Sequence, residues 1–319
     1  MGKSILRFLN GDAPAWGVVS NGRVSPIEGG FDDIRGLLGS GRNAIDTAAA
    51  ATPTRDVEDL TILSPLDITS RLFCLGLNYG DHREETGHTA NKPSQMLVFG
   101  KDAGSLCGPE DDIVKPKNVA LLDYEVELGL IIGSDISDPV DVDDDQLEDI
   151  VAGLVICNDV SARDDQFGVP FMQWYQAKSY RNFCPAGPFV WLPDPGELKS
   201  LYDLTVTCRV NGEVVQEAPT KNFIFTPPEA ISRISRITQL RRGDCILTGT
   251  PGGVALGLAP ATQALLRENL FGDDARRQAF VADQSTRGYL QDGDLVEMTI
   301  ASSDGKIDLG RQKNRVIAA

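Results

Sequence analysis

The stretch LLDYEVELGLIIG, residues 121–133, decides how the chain is read. Its composition and its two-residue period predict a strand. In that strand Tyr124, Val126, Leu128 and Leu130 face one way, and Asp123, Glu125 and Glu127 face the other. Three neighbouring carboxylates repel one another, and burying them is costly without a counter-ion. Two readings stand side by side. The acidic face is a solvated strand edge, or it is a hard-cation site built from carboxylate oxygens.

Working outward, GLVICNDVSARDDQFG (153–168) is an apolar run ending in Asn158-Asp159. Asp159 is either a turn or N-cap residue, or the third carboxylate of a set with Glu125 and Glu127 that leaves positions open for water and substrate. Further short strand-like runs surround these two: RLFCLGLN, SQMLVFGK, GPFVWL, LTVTCRVNGEVVQEA, DCILTGT and DLVEMTIASSDGKIDLGR. Asn211-Gly212 in VNGEV is a hairpin turn signal. Few helices intervene. Residues 141–153 carry acids where a first turn favours them, and TPPEAISRISRI (226–237) offers Thr226 as N-cap before two prolines. The expected architecture over 70–319 is therefore β-rich α+β with peripheral helices, a barrel or sandwich rather than a Rossmann fold. Residues 1–65 read as a small N-terminal β-rich domain, with a short helix in FDDIRGLLGSG and an Ala/Thr-rich connector over 44–60. Residues 257–288 read as a polar helical insert.

Bulk properties exclude several functions. A formal net charge of −16 disfavours nucleic acid and anionic membranes alike. No apolar run reaches the roughly 18 residues of a membrane-spanning helix. The six cysteines lie mostly in apolar runs and form no CxxC, which predicts buried thiols and neither a disulfide frame nor a zinc site. With no signal-peptide pattern at the N-terminus, a cytoplasmic location is expected. The chain has only two histidines, His82 and His88, both in GLNYGDHREETGH (76–88).

Four segments, DYEVELGLIIG, NDVSARDDQ, AKSYRNFCPAGP and ILTGTPGGV, occur in an order and spacing that resembles the fumarylacetoacetate hydrolase family, and VNGEVVQ fits between the last two. The resemblance covers about 70–319, and 1–65 is similar to the smaller N-terminal domain of many bacterial members. It implies a mixed β-sandwich roll, a divalent cation (Mg2+ or Mn2+, with Ca2+ a substitute in crystals) and a homodimer. It places the metal triad on Glu125, Glu127 and Asp159. Lys178 and Thr250 take the family's lysine and threonine positions, and Arg163 and Gln166 its substrate contacts. Asn78, Tyr79, His82 and Glu85 match a segment that in smaller relatives orders over bound substrate as a lid, for which Gly76, Gly80 and Gly87 are candidate hinges. Tyr79 is thereby a further substrate contact, whereas His88 matches nothing and is read as a surface residue.

The implied chemistry is hydrolysis of a C–C bond in a 1,3-diketo acid of the acylpyruvate type, an EC 3.7.1 reaction acting on ketonic substances. His82 would deprotonate water, and Glu85, one helical turn on, would fix its tautomer. Lys178 and Thr250 are donors to the developing oxyanion. Lys101 is a further candidate for a substrate carboxylate. The same fold and metal also serve 2-oxo acid decarboxylation, hydration or isomerisation, and hydrolysis of diketo sugar acids. A non-catalytic relative predicts a broken motif set, and none is broken here. Three features depart from the family pattern and border its pocket: Arg181-Asn182 after the lysine, Lys101-Asp102, and the long 257–288 insert.

Overall fold

In the computed structural model, which describes residues 2–319, the strand read over 121–133 is interrupted. Leu122–Asp123 form one short strand and Val126–Ile132 the next, with Tyr124 and Glu125 between them. Every residue of Val126–Ile132 is buried, which removes the solvated-edge reading. Leu128, Leu130 and Ile132 share a core cluster with Val206, Met298, Ile300 and Leu309 of a five-stranded sheet. Ile131 instead joins Ile34, Leu37 and Ile45 of two N-terminal helices. A strand covered on both faces reads as a near-continuous apolar run, and each such side chain contributes roughly 1.5–3 kcal/mol by burial.

The larger sheet has 11 strands. At its centre Val126–Ile132 pairs antiparallel with Val151–Asn158 on one side and Cys245–Leu247 on the other. Cys245–Leu247 then runs parallel to Leu72–Gly76, which pairs antiparallel with Leu97–Lys101. On the far side, Val190–Leu192 joins Val151–Asn158 to the N-terminal strand Lys3–Asn10, so the N-terminal hairpins extend the same sheet. The second sheet orders Glu213–Pro219, Leu204–Val210, Leu295–Ser302, Asp308–Ala318 and Ile113–Lys115. The result is a mixed, sheet-rich α+β sandwich, as the sequence implies. Neither sheet closes into a barrel.

The hairpin signal at Asn211-Gly212 holds, with both residues at positive φ (52° and 85°). Pro227–Ser235 is the expected helix, closed by a capping box from Thr226 and Glu229. The helix read over 141–153 shrinks to Leu147–Ile150. Asp143 takes the amides of Asp145 and Gln146 into a turn, and Val151 onward is claimed by strand pairing. The 44–60 connector begins inside a helix, Arg42–Ala50, because Ile45 and Ala48 find the core. The 257–288 segment holds helices Pro260–Glu268 and Asp273–Gln284. All six cysteines are free and buried. Among the described residues no helix is long and apolar enough to cross a membrane.

Candidate active site

Strand polarity builds the site. Val151–Asn158, Cys245–Leu247 and Leu72–Gly76 all end at one edge of the large sheet, where Val126–Ile132 begins. That edge therefore collects Asp159, Thr248–Thr250, Asn78 and Glu125. Register completes it: Val126 pairs with Asn158, Glu127 with Cys157, and the Asp159 amide donates to Glu125 O at 2.9 Å. Glu125, Glu127 and Asp159 are all buried and bring carboxylate oxygens within 4.8 Å of one another.

Asp123 does not join them. The break at Tyr124–Glu125 turns it toward the 253–256 loop, where it accepts from the amides of Ala255 (2.9 Å) and Leu256 (3.1 Å) and from Arg163 Nε (2.8 Å). Its role is to hold a loop and an arginine.

Cations enter the cluster from three directions. Lys178 Nζ donates to Glu125 Oε2 (2.7 Å) and Asp159 Oδ2 (2.6 Å). Lys101 Nζ donates to Asp159 Oδ1 (2.7 Å) and Val160 O (3.2 Å). Arg163 donates through Nη2 to Glu125 Oε1 (2.5 Å) and through Nη1 to Gln166 Oε1 (3.0 Å). Four buried carboxylates, Asp123 included, thus face three buried cations, leaving one negative charge uncompensated. Burial alone raises the Glu125 carboxyl, but Lys178, Arg163 and His82 outweigh it and hold it well below the usual range. Glu127 goes the other way: burial, then Asp159 and Glu125, push it well above. A set of hard oxygen donors with surplus negative charge fits a divalent cation such as Mg2+ or Mn2+. Glu125, Glu127 and Asp159 are the residues that would hold it.

Beside the cluster is a cavity of about 180 Å³ whose wall includes His82, Glu125, Arg163, Gln166, Lys178 and Thr250. That is room for several waters, the scale of a small keto-acid head. His82 and Glu85 lie on the helix Gly80–Glu85, and His82 Nδ1 is 3.4 Å from Glu85 Oε2. The other Glu85 oxygen accepts the Gly253 amide at 2.7 Å, and the Glu85 carbonyl accepts the Leu258 amide at 2.9 Å. The helix is clamped down over the cavity from its C-terminal end. At its other end Asn78 donates to Phe225 O (3.0 Å) and Thr248 O (2.8 Å) and accepts the Phe225 amide (2.7 Å). Of the candidate hinges, Gly87 alone has positive φ (77°), and a Cβ there would lie 1.8 Å from Gln263 Nε2.

Thr250 Oγ1 accepts from Gln216 Nε2 at 2.8 Å, which leaves its own O–H to donate. Gln216 also accepts the Val126 amide (3.1 Å), so it braces Thr250 against the acidic strand. Nothing local in VNGEVVQ marks it, since only the approach of the second sheet gives it partners. Tyr79, read as a substrate contact, does not line the cavity. It is buried edge-on against Phe223 (5.3 Å between centroids), where the aromatic pair has more to gain. Lys101 is fully buried on Asp159 and serves that carboxylate, not a substrate's. Asn182 also lies off the cavity, at φ 61° with its amide on Asp112 O. His88 is exposed, as the sequence reading has it, and it also borders the mouth of the cavity, with Nδ1 3.2 Å from Thr86 Oγ1. Burial, with Arg83 nearby, lowers its pKa.

The chain is similar to proteins of one family. The family described as fumarylacetoacetate (FAA) hydrolase, C-terminal, matches residues 71–317. A mitochondrial oxaloacetate tautomerase of Bos taurus is 36% identical over 219 residues, 69% of this chain and 67% of the relative. A 2,4-didehydro-3-deoxy-L-rhamnonate hydrolase of Sphingomonas sp. (strain SKA58) is 37% identical over 234 residues, 71% of this chain and 79% of the relative. Among solved structures, a fumarylacetoacetate hydrolase from Exiguobacterium antarcticum superposes with a TM-score of 0.72 at 26% identity, covering 99% of this chain and 100% of that one.

Proposed function

The chain belongs to the fumarylacetoacetate hydrolase family, whose members include hydrolases, tautomerases and isomerases, and from that premise we propose that it is a divalent-metal-dependent hydrolase of acylpyruvate-type 1,3-diketo acids. The observation that carries this reading is His82, backed by Glu85, on the wall of the cavity that Glu125, Lys178 and Thr250 also line.

When bound, a cation on Glu125, Glu127 and Asp159 supplies Lewis-acid polarisation of the keto oxygens. The chain's own residues do the rest. With Nδ1–H given to Glu85, His82 presents the Nε2 lone pair and takes a proton from water, and Glu85 stabilises the imidazolium that forms. The hydroxide adds to the distal carbonyl, and the bond between that carbon and the methylene breaks. The methylene carbon receives a proton, so one water and one diketo acid give pyruvate and a carboxylic acid. Lys178 has three N–H donors and spends two on carboxylates, which leaves one for an oxyanion. The free O–H of Thr250 is a second. Arg163 and Gln166, tied to one another, form the polar wall for the substrate carboxylate. A homodimer in the cytoplasm is part of this proposal.

The test is direct. Purified protein with Mg2+ or Mn2+ is expected to remove the enol absorbance of acylpyruvates, with pyruvate and the free acid appearing by NMR. The likeness to an oxaloacetate tautomerase favours a second reading, in which the same proton shuttle interconverts keto and enol forms. Loss of enol absorbance with no carbon–carbon cleavage in the NMR spectrum would replace the first reading by the second.

The acidic cluster makes a separate prediction. Burial, Asp159 and Glu125 favour the neutral Glu127 carboxyl in the cation-free site, and Glu127→Gln mimics that form, so its melting temperature should equal or exceed that of the unaltered protein. Affinity for Mn2+ should fall by more than the roughly 10–100-fold that loss of an outer-shell partner costs. Calorimetric titration and a thermal melt check the two halves.

A further inference from the structure

The head-sized cavity is not closed at its outer end. It opens into a larger cleft of about 710 Å³, and the two share Thr86, His88, Phe167, Met172 and Leu258. The cleft's remaining walls come largely from the two-helix insert, with Leu266 and Leu270 opposite Phe171. The insert is fastened to the site. Arg276 donates to Phe167 O at 2.8 Å, and Arg277 reaches Asp164 (2.6 Å) and Asp165 on the short helix that carries Arg163 and Gln166.

The outer cleft is apolar and stays exposed. Phe171 is 69% exposed, Phe271 is 74% exposed, and their rings meet at 5.7 Å between centroids. Phe171 and Met172 both hold positive φ, 63° and 39°. That conformation costs about 1–2 kcal/mol per residue, here spent on presenting two apolar side chains at a cavity mouth. The cleft therefore offers continuity with the catalytic cavity, mostly apolar walls and rigid attachment, and its polar side chains Gln263, Arg267 and Arg276 are already spent on Leu258 O, Gln263 Oε1 and Phe167 O instead of facing a polyhydroxylated tail.

We infer that this cleft is a distal subsite for an apolar substituent of the substrate, an alkyl or aryl acyl tail of several carbons, and that the insert sets the enzyme's preference for such substrates over sugar acids and oxaloacetate. The inference rests on the reading that the inner cavity holds the keto-acid head. His88 stands at the junction. The Thr86 hydroxyl lies 2.9 Å from Arg83 O and donates there, so His88 Nδ1–H donates to Thr86 Oγ1 and its Nε2 is left as an acceptor where head and tail meet.

The test uses binding as well as turnover. Straight-chain 2-oxo acids from 2-oxobutanoate to 2-oxodecanoate are titrated calorimetrically into the Mn2+-loaded protein, and acylpyruvates of matching length are assayed in parallel. Affinity is expected to rise at least tenfold from 2-oxobutanoate to 2-oxooctanoate, since each buried methylene is worth up to about fourfold. Leu266→Glu is expected to cut the long-to-short affinity ratio at least tenfold. A flat series on the unaltered protein overturns the subsite, whatever the variant does. So does a flat series in which Phe271→Glu turns a dimer into a monomer, because a second copy would then cover the patch. A length-dependent affinity without cleavage removes the hydrolase reading and leaves the subsite standing, and cleavage with no length dependence does the reverse.

Discussion

His82→Ala lowers kcat toward acylpyruvates by about 10²–10⁴-fold, the range for loss of a positioned general base, while Mn2+ affinity by calorimetry stays unchanged. The separation follows from the geometry. His82 lies on the helix Gly80–Glu85, whereas the carboxylate triad stands at the strand ends and draws its hydrogen bonds from Lys178, Lys101, Arg163 and Gly249. Removing the imidazole takes away the proton acceptor and leaves those bonds intact. The loss should appear in kcat, since the ring's proton transfer belongs to the transition state. Turnover equal to that of the unaltered protein would remove the dyad from the mechanism.

Arg163→Met is expected to destabilise the protein by about 3–5 kcal/mol, the usual result of deleting one partner from a buried ion pair. The guanidinium is 2% exposed and bridges Asp123 and Glu125. Burial alone lowers its pKa, but Glu125 and Asp123 reverse that and raise it, so it stays charged. Without it, Asp123 keeps its backbone donors but loses its one cation among the described residues, and the 253–256 loop that clamps Glu85 is left fastened to a buried, unpaired carboxylate. Urea unfolding of cation-free protein measures the cost. A change under about 1 kcal/mol would show that the loop relaxes enough to hydrate Asp123.

Several parts of the site are legible in the chain because their signals are local. Glu125 and Glu127 alternate along one strand, Asp159 ends another, and His82 and Glu85 are one helical turn apart. Periodicity reports these because secondary structure sets the spacing of neighbours. The parts that escape are bonds between segments remote in sequence. Lys101 meets Asp159 across 58 positions, and Gln216 meets Thr250 across 34. The inward turn of Tyr79 and the place of the exposed His88 at the cavity mouth have the same cause. Tyr79 turns inward because Phe223 waits there, and His88 reaches the cavity because Thr86 holds its ring.

Apolar periodicity in the chain is enough for a β-rich architecture, whereas the carboxylate triad and the His82–Glu85 pair are legible only through the resemblance of four motifs to a known family, since spacing alone groups Asp123 with Glu125 and Glu127 and leaves Asp159 a turn residue or a ligand. Only the folded chain shows that Asp123 serves a loop and not the triad, since the strand breaks at Tyr124 and Glu125 and the Ala255 and Leu256 amides take its carboxylate. It also decided that three cations face four carboxylates and leave one negative charge over, and that the insert walls a mostly apolar cleft. Electrostatic balance and cavity shape depend on which distant segments the sheet edges bring within a few ångströms of one another.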